Sequence, residues 1–246
     1  MNIIDKIKQV IINIFYLGKT AKEDLKDKPA PKLFEGWKKN NVAERMLKIS
    51  KFDIEKINKG NIDVNIKTNI DLIKSTGLKN FSYLDVGCGV GNYNKLFKIL
   101  LPNHKIEYTG VDYSKEAISL ANENFKDENS KFRTADMQKL PFKNKTFDIS
   151  CSSSVLPYAK NYSKAISELA RVTKKYVLIT RTSVTDGKEI YQRQKAYGSE
   201  WVCTLFNENK LKKITQKNGL KIIREVVLKK IDSERTEKSY ILKAIR

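Results

Sequence analysis

Histidine is nearly missing from this sequence: there is one, His104, in 246 residues. The three cysteines, Cys88, Cys151 and Cys203, lie far apart, and no Cys-x-x-Cys pair occurs. Together these absences exclude a Cys/His zinc site and a disulfide framework, so no metal is expected. Unpaired cysteines fit a reducing compartment, and a cytoplasmic protein is expected. No apolar run approaches the roughly 18–20 residues of a membrane-spanning helix. No repeat recurs at a period of about 20–50 residues, which excludes a solenoid. Arginine is scarce, with 8 against 40 lysines, in a chain of net charge +20. Phosphate and base recognition recruits the planar arginine fork. The charge therefore reads first as a solvated basic surface, with a nucleic-acid site as the second reading. Residues 209–246 carry +8 and residues 181–208 carry none, so the excess lies towards the flanks.

The amino end, MNIIDKIKQVIINIFYLGK, places Ile3, Ile4, Ile7, Val10, Ile11 and Ile14 at helical spacing, with Lys6, Lys8, Gln9 and Asn13 opposite. Two readings stay open: a helix packed on the body or a sister subunit, and a helix lying in a membrane surface through residues 1–18. The second would place the protein at the inner membrane face. Residues 19–32 are charged and end in Pro29-Ala30-Pro31, which reads as a linker. Phe34 and Trp37 follow as aromatic anchors, then two helical patterns up to Gly77. Residues 1–80 are thus expected to be an N-terminal helical extension or cap.

From residue 81 strand and helix alternate. FSYLDVG, KIEYTGVD, SKFRTAD, TFDISCSSS and KYVLITR read as strands with helices between them. LKIIREVVL and SYILKAI close the chain as a hairpin-like pair. The expected class is α/β: a doubly wound, seven-stranded, mostly parallel sheet with a C-terminal antiparallel strand. Residues 81–246 form this unit, with an insertion at 181–206. In such sheets ligands gather at the carboxyl ends of the strands. The loops after Val86, Val111, Thr134 and Cys151 then meet on one edge.

The first of these loops is Asp85-Val86-Gly87-Cys88-Gly89-Val90-Gly91-Asn92. A triphosphate loop needs Gly-Lys-Ser/Thr at its end, and here Gly91 is followed by Asn92 and Tyr93. The dinucleotide fingerprint needs a third glycine where Asn92 stands. The Asp85 carboxylate suits a positively charged cofactor end better than a pyrophosphate. Asp112, 21 residues past Gly91, can accept from both hydroxyls of a ribose.

The stretch Asp85–Gly91 resembles the first motif of class I S-adenosylmethionine-dependent methyltransferases. With GVDYS, TADMQKLPF and the SSSVLPYAKN segment, the resemblance covers residues 83–180. It implies the Rossmann-like methyltransferase fold, with S-adenosyl-L-methionine as cofactor and S-adenosyl-L-homocysteine as product. It implies a cofactor site of Asp85, Gly87, Cys88, Gly89, Gly91, Asp112, Tyr113, Asp136, Met137, Ser152 and Ser153. Asp136 would accept from the adenine amino group, and the Met137 amide would meet the ring. Adenine amino-methyltransferases carry Asn/Asp-Pro-Pro-Tyr/Phe after the fourth strand, where this chain has Ser153-Ser154-Val155-Leu156. A looser resemblance over residues 150–206 points to a bacterial branch associated with surface-polysaccharide biosynthesis.

Tyr158, Arg181 and Tyr191 are the candidate catalytic residues. The insertion also holds Asp186, Gln192, Arg193, Gln194 and Tyr197, and two arginines near one pocket would suit a carboxylate or phosphate. His104 falls on the face away from the site, so a base would be Asp, Glu, Tyr or Lys, unless the nucleophile arrives ionised. The leading expectation is O-methylation of a small polar or anionic acceptor: a sugar, nucleotide-sugar or sugar-phosphate. An RNA or protein methyltransferase using the basic flanks, and a non-catalytic cofactor-binding protein, are the alternatives. The oligomeric state is left open.

The two readings of the amino end separate on flotation with anionic liposomes. If residues 1–18 pack on protein, the intact chain and a chain lacking them partition equally; enrichment of the intact chain alone places the helix on membrane.

Overall fold

The computed structural model describes Val10 and residues 21–27, 29–39 and 41–245. The helix expected over residues 1–18 lies outside this range, apart from Val10. In chain order come β1 (Ala21–Leu25), a 3-10 turn over Pro31–Lys38, α1 (Val42–Asn58), α2 (Val64–Ser75), β2 (Asn80–Val86) and α3 (Asn92–Leu100). β3 (Lys105–Asp112), α4 (Lys115–Asn124), β4 (Ser130–Thr134), β5 (Phe147–Ser153) and α5 (Tyr162–Val172) follow. The chain then forms β6 (Thr173–Thr185), β7 (Ile190–Ala196), β8 (Ser199–Asn207), α6 (Glu208–Lys217), β9 (Leu220–Lys230) and β10 (Arg235–Ala244).

The central sheet runs β4-β3-β2-β5-β6-β10-β9. β10 is antiparallel to both its neighbours, and the other pairs are parallel. This is the expected α/β fold with one antiparallel strand near its edge. Alternation along each strand splits the core in two. Leu84, Val86, Val177, Ile179, Tyr240 and Leu242 face α5 and α6. Phe81, Tyr83, Leu178 and Ile241 face the opposite way, against α2, α3 and α4. Period-2 side chains buried on both faces make a strand between two helical layers. Side-chain caps begin four of the helices: Asp63 accepts from the Asn65 amide, Ser114 from Ala117, Asn161 from Lys164 and Asn207 from Lys210.

Two segments depart from expectation. Residues 21–25, read as linker, form β1 and pair antiparallel with β7, from Ala21 opposite Lys195 to Leu25 opposite Tyr191. The insertion is a hairpin of β7 and β8 turned by Tyr197-Gly198, both at positive φ (52° and 72°). AKEDL has no apolar alternation to announce a strand. Its partner lies some 170 positions on, and the Asp24 carboxylate holds it there, accepting from Arg235 at 2.8 Å and Gln192 at 2.7 Å. β8 rejoins the main sheet in parallel at Val184–Phe206 and Thr185–Asn207, making β1-β7-β8 a small second sheet on the end of β6.

β6 is broken midway. Ile179 pairs with Tyr240 but Thr182 pairs with Lys238, so Thr180 and Arg181 together oppose Ser239. That is a β-bulge; Arg181 sits at φ 55°, and its amide donates to Ser239 Oγ at 3.2 Å.

The 3-10 turn is wedged on β8. Ser199 Oγ donates to the Gly36 carbonyl at 2.7 Å, and a Cβ on Gly36 would overlap the Glu200 carbonyl oxygen. Backbone cannot yield to it as a side chain can. Gly36→Ala should cost about 1–3 kcal/mol, a fall in Tm of about 2–4 °C per kcal/mol, read by thermal unfolding; an unchanged Tm would mean the turn is not seated on β8.

Candidate active site

The carboxyl ends of β2, β3, β4 and β5 open into one cavity of about 550 Å³. Gly87 and Gly89 form its floor, and neither can carry a side chain. Both have positive φ; a Cβ on Gly87 would strike the Val155 side chain, and one on Gly89 would come within 2.8 Å of Met46 Cε. The loop is tied to the next strand by the Gly87 and Cys88 amides, which both donate to the Val111 carbonyl.

Asp112 ends β3 at the cavity wall. Its Oδ2 accepts from the Gly89 amide at 3.0 Å and its Oδ1 from the Ser114 amide at 2.9 Å. Burial raises its pKa and these amides oppose the rise. Each oxygen keeps a lone pair, enough for two vicinal hydroxyls. Tyr113, Asp136 and Met137 also line the cavity. Asp136 closes a turn, accepting from the Gln138 amide at 2.8 Å, and still faces the site. Ala43, Met46 and Ala117 supply apolar wall from α1 and α4.

Four expected residues serve the loop from behind. Asp85 is buried beneath it and accepts from Tyr108 Oη at 2.6 Å. Burial raises its pKa to about 6, against the pull of that hydrogen bond. Cys88 is buried with its thiol pushed up by desolvation, so it is filler and no nucleophile. Gly91 starts α3 against Phe132, where a Cβ would clash. Ser152 is wholly buried in β5, its hydroxyl unpaired. Ser153, next along, lines the cavity and accepts from Asn69 Nδ2 at 3.1 Å.

At the far end, Tyr158 and Arg181 line the cavity as expected, but Tyr191 does not. It lies in a separate shallow pocket with Tyr162, Glu189 and Lys210. Alternation is the reason: Gln194, three residues on along β7, faces the cavity, so Tyr191 faces away. Arg193 is likewise on the outer face, leaving Arg181 the cavity's arginine.

The site's other members come from distant segments. Trp37 of the 3-10 turn stacks on Trp201 of β8 with centroids 3.9 Å apart, and Tyr158 and Tyr197 pack around the pair. Glu35 on the same turn pairs with Lys160 at 3.2 Å, joining the turn to the segment after β5. Behind Ser153, Asn69 Nδ2 donates to Tyr93 Oη at 2.8 Å. Trp37 was legible only as an aromatic anchor. No signal in the sequence marks Lys22, Met46 or Asn69 as belonging here.

Residues 84–179 match the family model described as a methyltransferase domain. The chain carries an S-adenosylmethionine-dependent methyltransferase domain. It is 35% identical over 147 residues to the malonyl-[acyl-carrier protein] O-methyltransferase of Buchnera aphidicola subsp. Baizongia pistaciae, covering 59% of this chain and 55% of that one. It is 31% identical over 100 residues to the sterol 4-C-methyltransferase strm-1 of Caenorhabditis elegans, covering 39% of this chain and 29% of that one. The chain thus spans about half the length of the first relative and less of the second. Its fold matches the 1,6-didemethyltoxoflavin-N1-methyltransferase of Burkholderia thailandensis, solved with S-adenosylhomocysteine, at TM-score 0.60 and 14% identity, over 93% of this chain and 96% of that one. These methyltransferases are named for an oxygen, a carbon and a nitrogen acceptor, so likeness alone leaves the accepting atom open.

The residues present fit S-adenosylmethionine. The glycine floor admits close approach, Asp112 offers its oxygens to hydroxyls, and Asp85 lends negative potential from behind the loop. Asp85 also sets a pH signature. Its pKa is higher folded than unfolded, so the protein gains stability as pH falls from about 6 towards 3.8 and bears the full cost above that. The shift corresponds to about 3 kcal/mol as an upper estimate. Asp85→Asn, whose amide oxygen still accepts from Tyr108, should unfold at a higher denaturant midpoint than wild type at neutral pH. The gap should close as pH falls through that window. A variant less stable at neutral pH would contradict the assignment.

Proposed function

We propose that the protein transfers a methyl group from S-adenosylmethionine to an oxyanion, a carboxylate or phosphate oxygen, of a small acceptor. Arg181 carries this reading. The bulge in β6 turns it towards the cavity, and among the described residues no carboxylate pairs with its guanidinium. The acidic residues lining the cavity are Glu35, Asp112 and Asp136. Glu35 is engaged with Lys160, and the two aspartates sit at the glycine-floor end. The tyrosines lining the far end offer no ready base either: burial raises both Tyr158 and Tyr197. Lys22, Lys38 and Lys160 also line the cavity and favour an anionic acceptor, which supports a nucleophile that arrives ionised, as a carboxylate or phosphate does and a hydroxyl does not.

Bound S-adenosylmethionine supplies an electrophilic methyl carbon on a sulfonium. Gly87 and Gly89 would pack against its methionine and ribose portions. Asp112 would accept from the ribose hydroxyls, and Asp136 and Met137 would meet the adenine. Tyr113 and Ser153 complete the walls. Arg181 holds the acceptor's oxyanion and, with Tyr158, lines it up for in-line attack, where positioning is most of the catalysis. The cap of Phe34, Glu35 and Trp37 closes the cavity against water. A volume near 550 Å³ suits a small-molecule site. Sugar acids, sugar phosphates and nucleotide-sugars, the acceptors of a surface-polysaccharide pathway, satisfy the oxyanion requirement. The oxygen-methylating Buchnera relative supports the accepting atom, and its own acceptor is one member of the screen.

Calorimetry with S-adenosylhomocysteine tests the cofactor: Asp112→Ala should weaken binding by at least about tenfold, the worth of a lost pair of hydrogen bonds to a charged group. A methyl-transfer screen of carboxylates and phosphates tests the acceptor. Turnover on an ionised acceptor should stay level between about pH 7 and pH 9, whereas a hydroxyl acceptor gives a rate that climbs with pH. Arg181→Ala should raise KM by about 10–100-fold. A rate climbing through that range, or no change in Arg181→Ala, would remove the oxyanion reading.

A further inference from the structure

The small sheet over the cavity carries a row of donors. Lys22 on β1 lies opposite Gln194 on β7, and Gln194 lies opposite Trp201 on β8. Residues directly opposite across paired strands share a face. All three line the cavity. None has its polar end engaged: no hydrogen bond or ion pair joins the Lys22 ammonium or the Gln194 amide to any described residue, and the Trp201 indole Nε1 is buried without a partner. Trp201 itself is 3% exposed, so water does not satisfy it, and the neighbouring Trp37 Nε1 is unpaired too. The indole nitrogens are closed to water and to a ligand alike, so Trp201 gives the wall its ring, and the free donors of the row are Lys22 and Gln194.

The row has a fixed spacing. Strands lie about 4.8 Å apart, which sets Lys22 about 10 Å from Trp201 across the sheet. The next residue on this face of β1, Asp24, cannot neutralise Lys22, because Arg235 and Gln192 hold its carboxylate. β1 is anchored, and its lysine overhangs the cavity.

We infer that the acceptor carries a second negative group, a carboxylate or phosphate, which Lys22 binds at the outer end of this row, while Gln194 binds a polar atom along the body between and the Trp201 ring packs against it. The acceptor is then an extended dianion. Its reacting oxyanion sits by Arg181 and its distal anion lies roughly two strand spacings beyond Trp201. This rests on the cavity being the methyl-acceptor site. It adds a recognition residue from the amino-terminal segment, outside the methyltransferase domain.

Calorimetry of the full chain, with and without S-adenosylhomocysteine, against α,ω-dicarboxylates of increasing length tests this. The matching monocarboxylates and ω-phosphonocarboxylates complete the series. Affinity should peak at one length, with the dianion about tenfold tighter than its monoanion, as a charge-assisted hydrogen bond gives. Lys22→Met should bring that ratio close to one, and Lys22→Arg should keep it. A tighter phosphonate identifies the distal group as phosphate, and a tighter carboxylate identifies it as carboxylate. No length optimum, or a ratio indifferent to Lys22→Met, overturns the inference. Failure of S-adenosylhomocysteine to bind counts against the methyl-transfer reading instead, and the dianion titrations still decide the subsite.

Discussion

A bulge in the longest central strand decides which side chains meet at the far end of the cavity. Thr180 and Arg181 occupy the space that one residue would take opposite Ser239. The backbone accommodates the extra residue by placing Arg181 at positive φ, and the Arg181 amide is satisfied by Ser239 Oγ. A non-glycine residue there is strained, and such strain persists only where its surroundings enforce it. Ser154, also at positive φ, ends β5 beside it and donates its amide to the Thr180 carbonyl. The result is an arginine turned into the cavity. β6 is carried past the end of β5, where Val184 and Thr185 are left to pair with β8. Without that overrun the second sheet would have no strand ladder to the central one.

The second sheet and the cap depend on each other. Gly36 lies against the backbone of β8, and Trp37 stacks on Trp201, so the turn and the hairpin close the cavity together. β1 stands on the far side of β7 through its own ladder and the Asp24–Arg235 pair. That ion pair is largely exposed and contributes little stability by itself. Its effect is on register: it fixes which residue of a short charged strand faces the cavity.

The floor and the roof of the site solve opposite electrostatic problems. Under the glycine loop a carboxylate is kept in a desolvated place, where ionisation is costly, beside a cofactor of positive charge. In the roof and at the bulge, cationic and neutral donors stand without partners among the described residues. Buried or cavity-facing groups held this way are unfavourable for folding and favourable for ligands of complementary charge.

The cofactor half was legible because its determinants are local. An apolar strand, a glycine turn and an acid one strand over are each set within a few residues, and alternating strand and helix bring those loops to one edge of the sheet. Asp112, Asp136, Gly87 and Gly89 therefore fall on one wall by sequence alone. The acceptor half was not legible. Tyr191 lies outside the cavity because β7 pairs in a register that turns it outward, and no composition reveals register. Lys22 was hidden in what read as a linker, because a strand at the edge of a small sheet owes its existence to a partner some 170 residues away. Sequence alone determined that a nucleoside-containing, positively charged cofactor could be held here. Only the tertiary structure decided what stands across from it, because long-range strand pairing, a bulge and side-chain alternation choose which residues share a face.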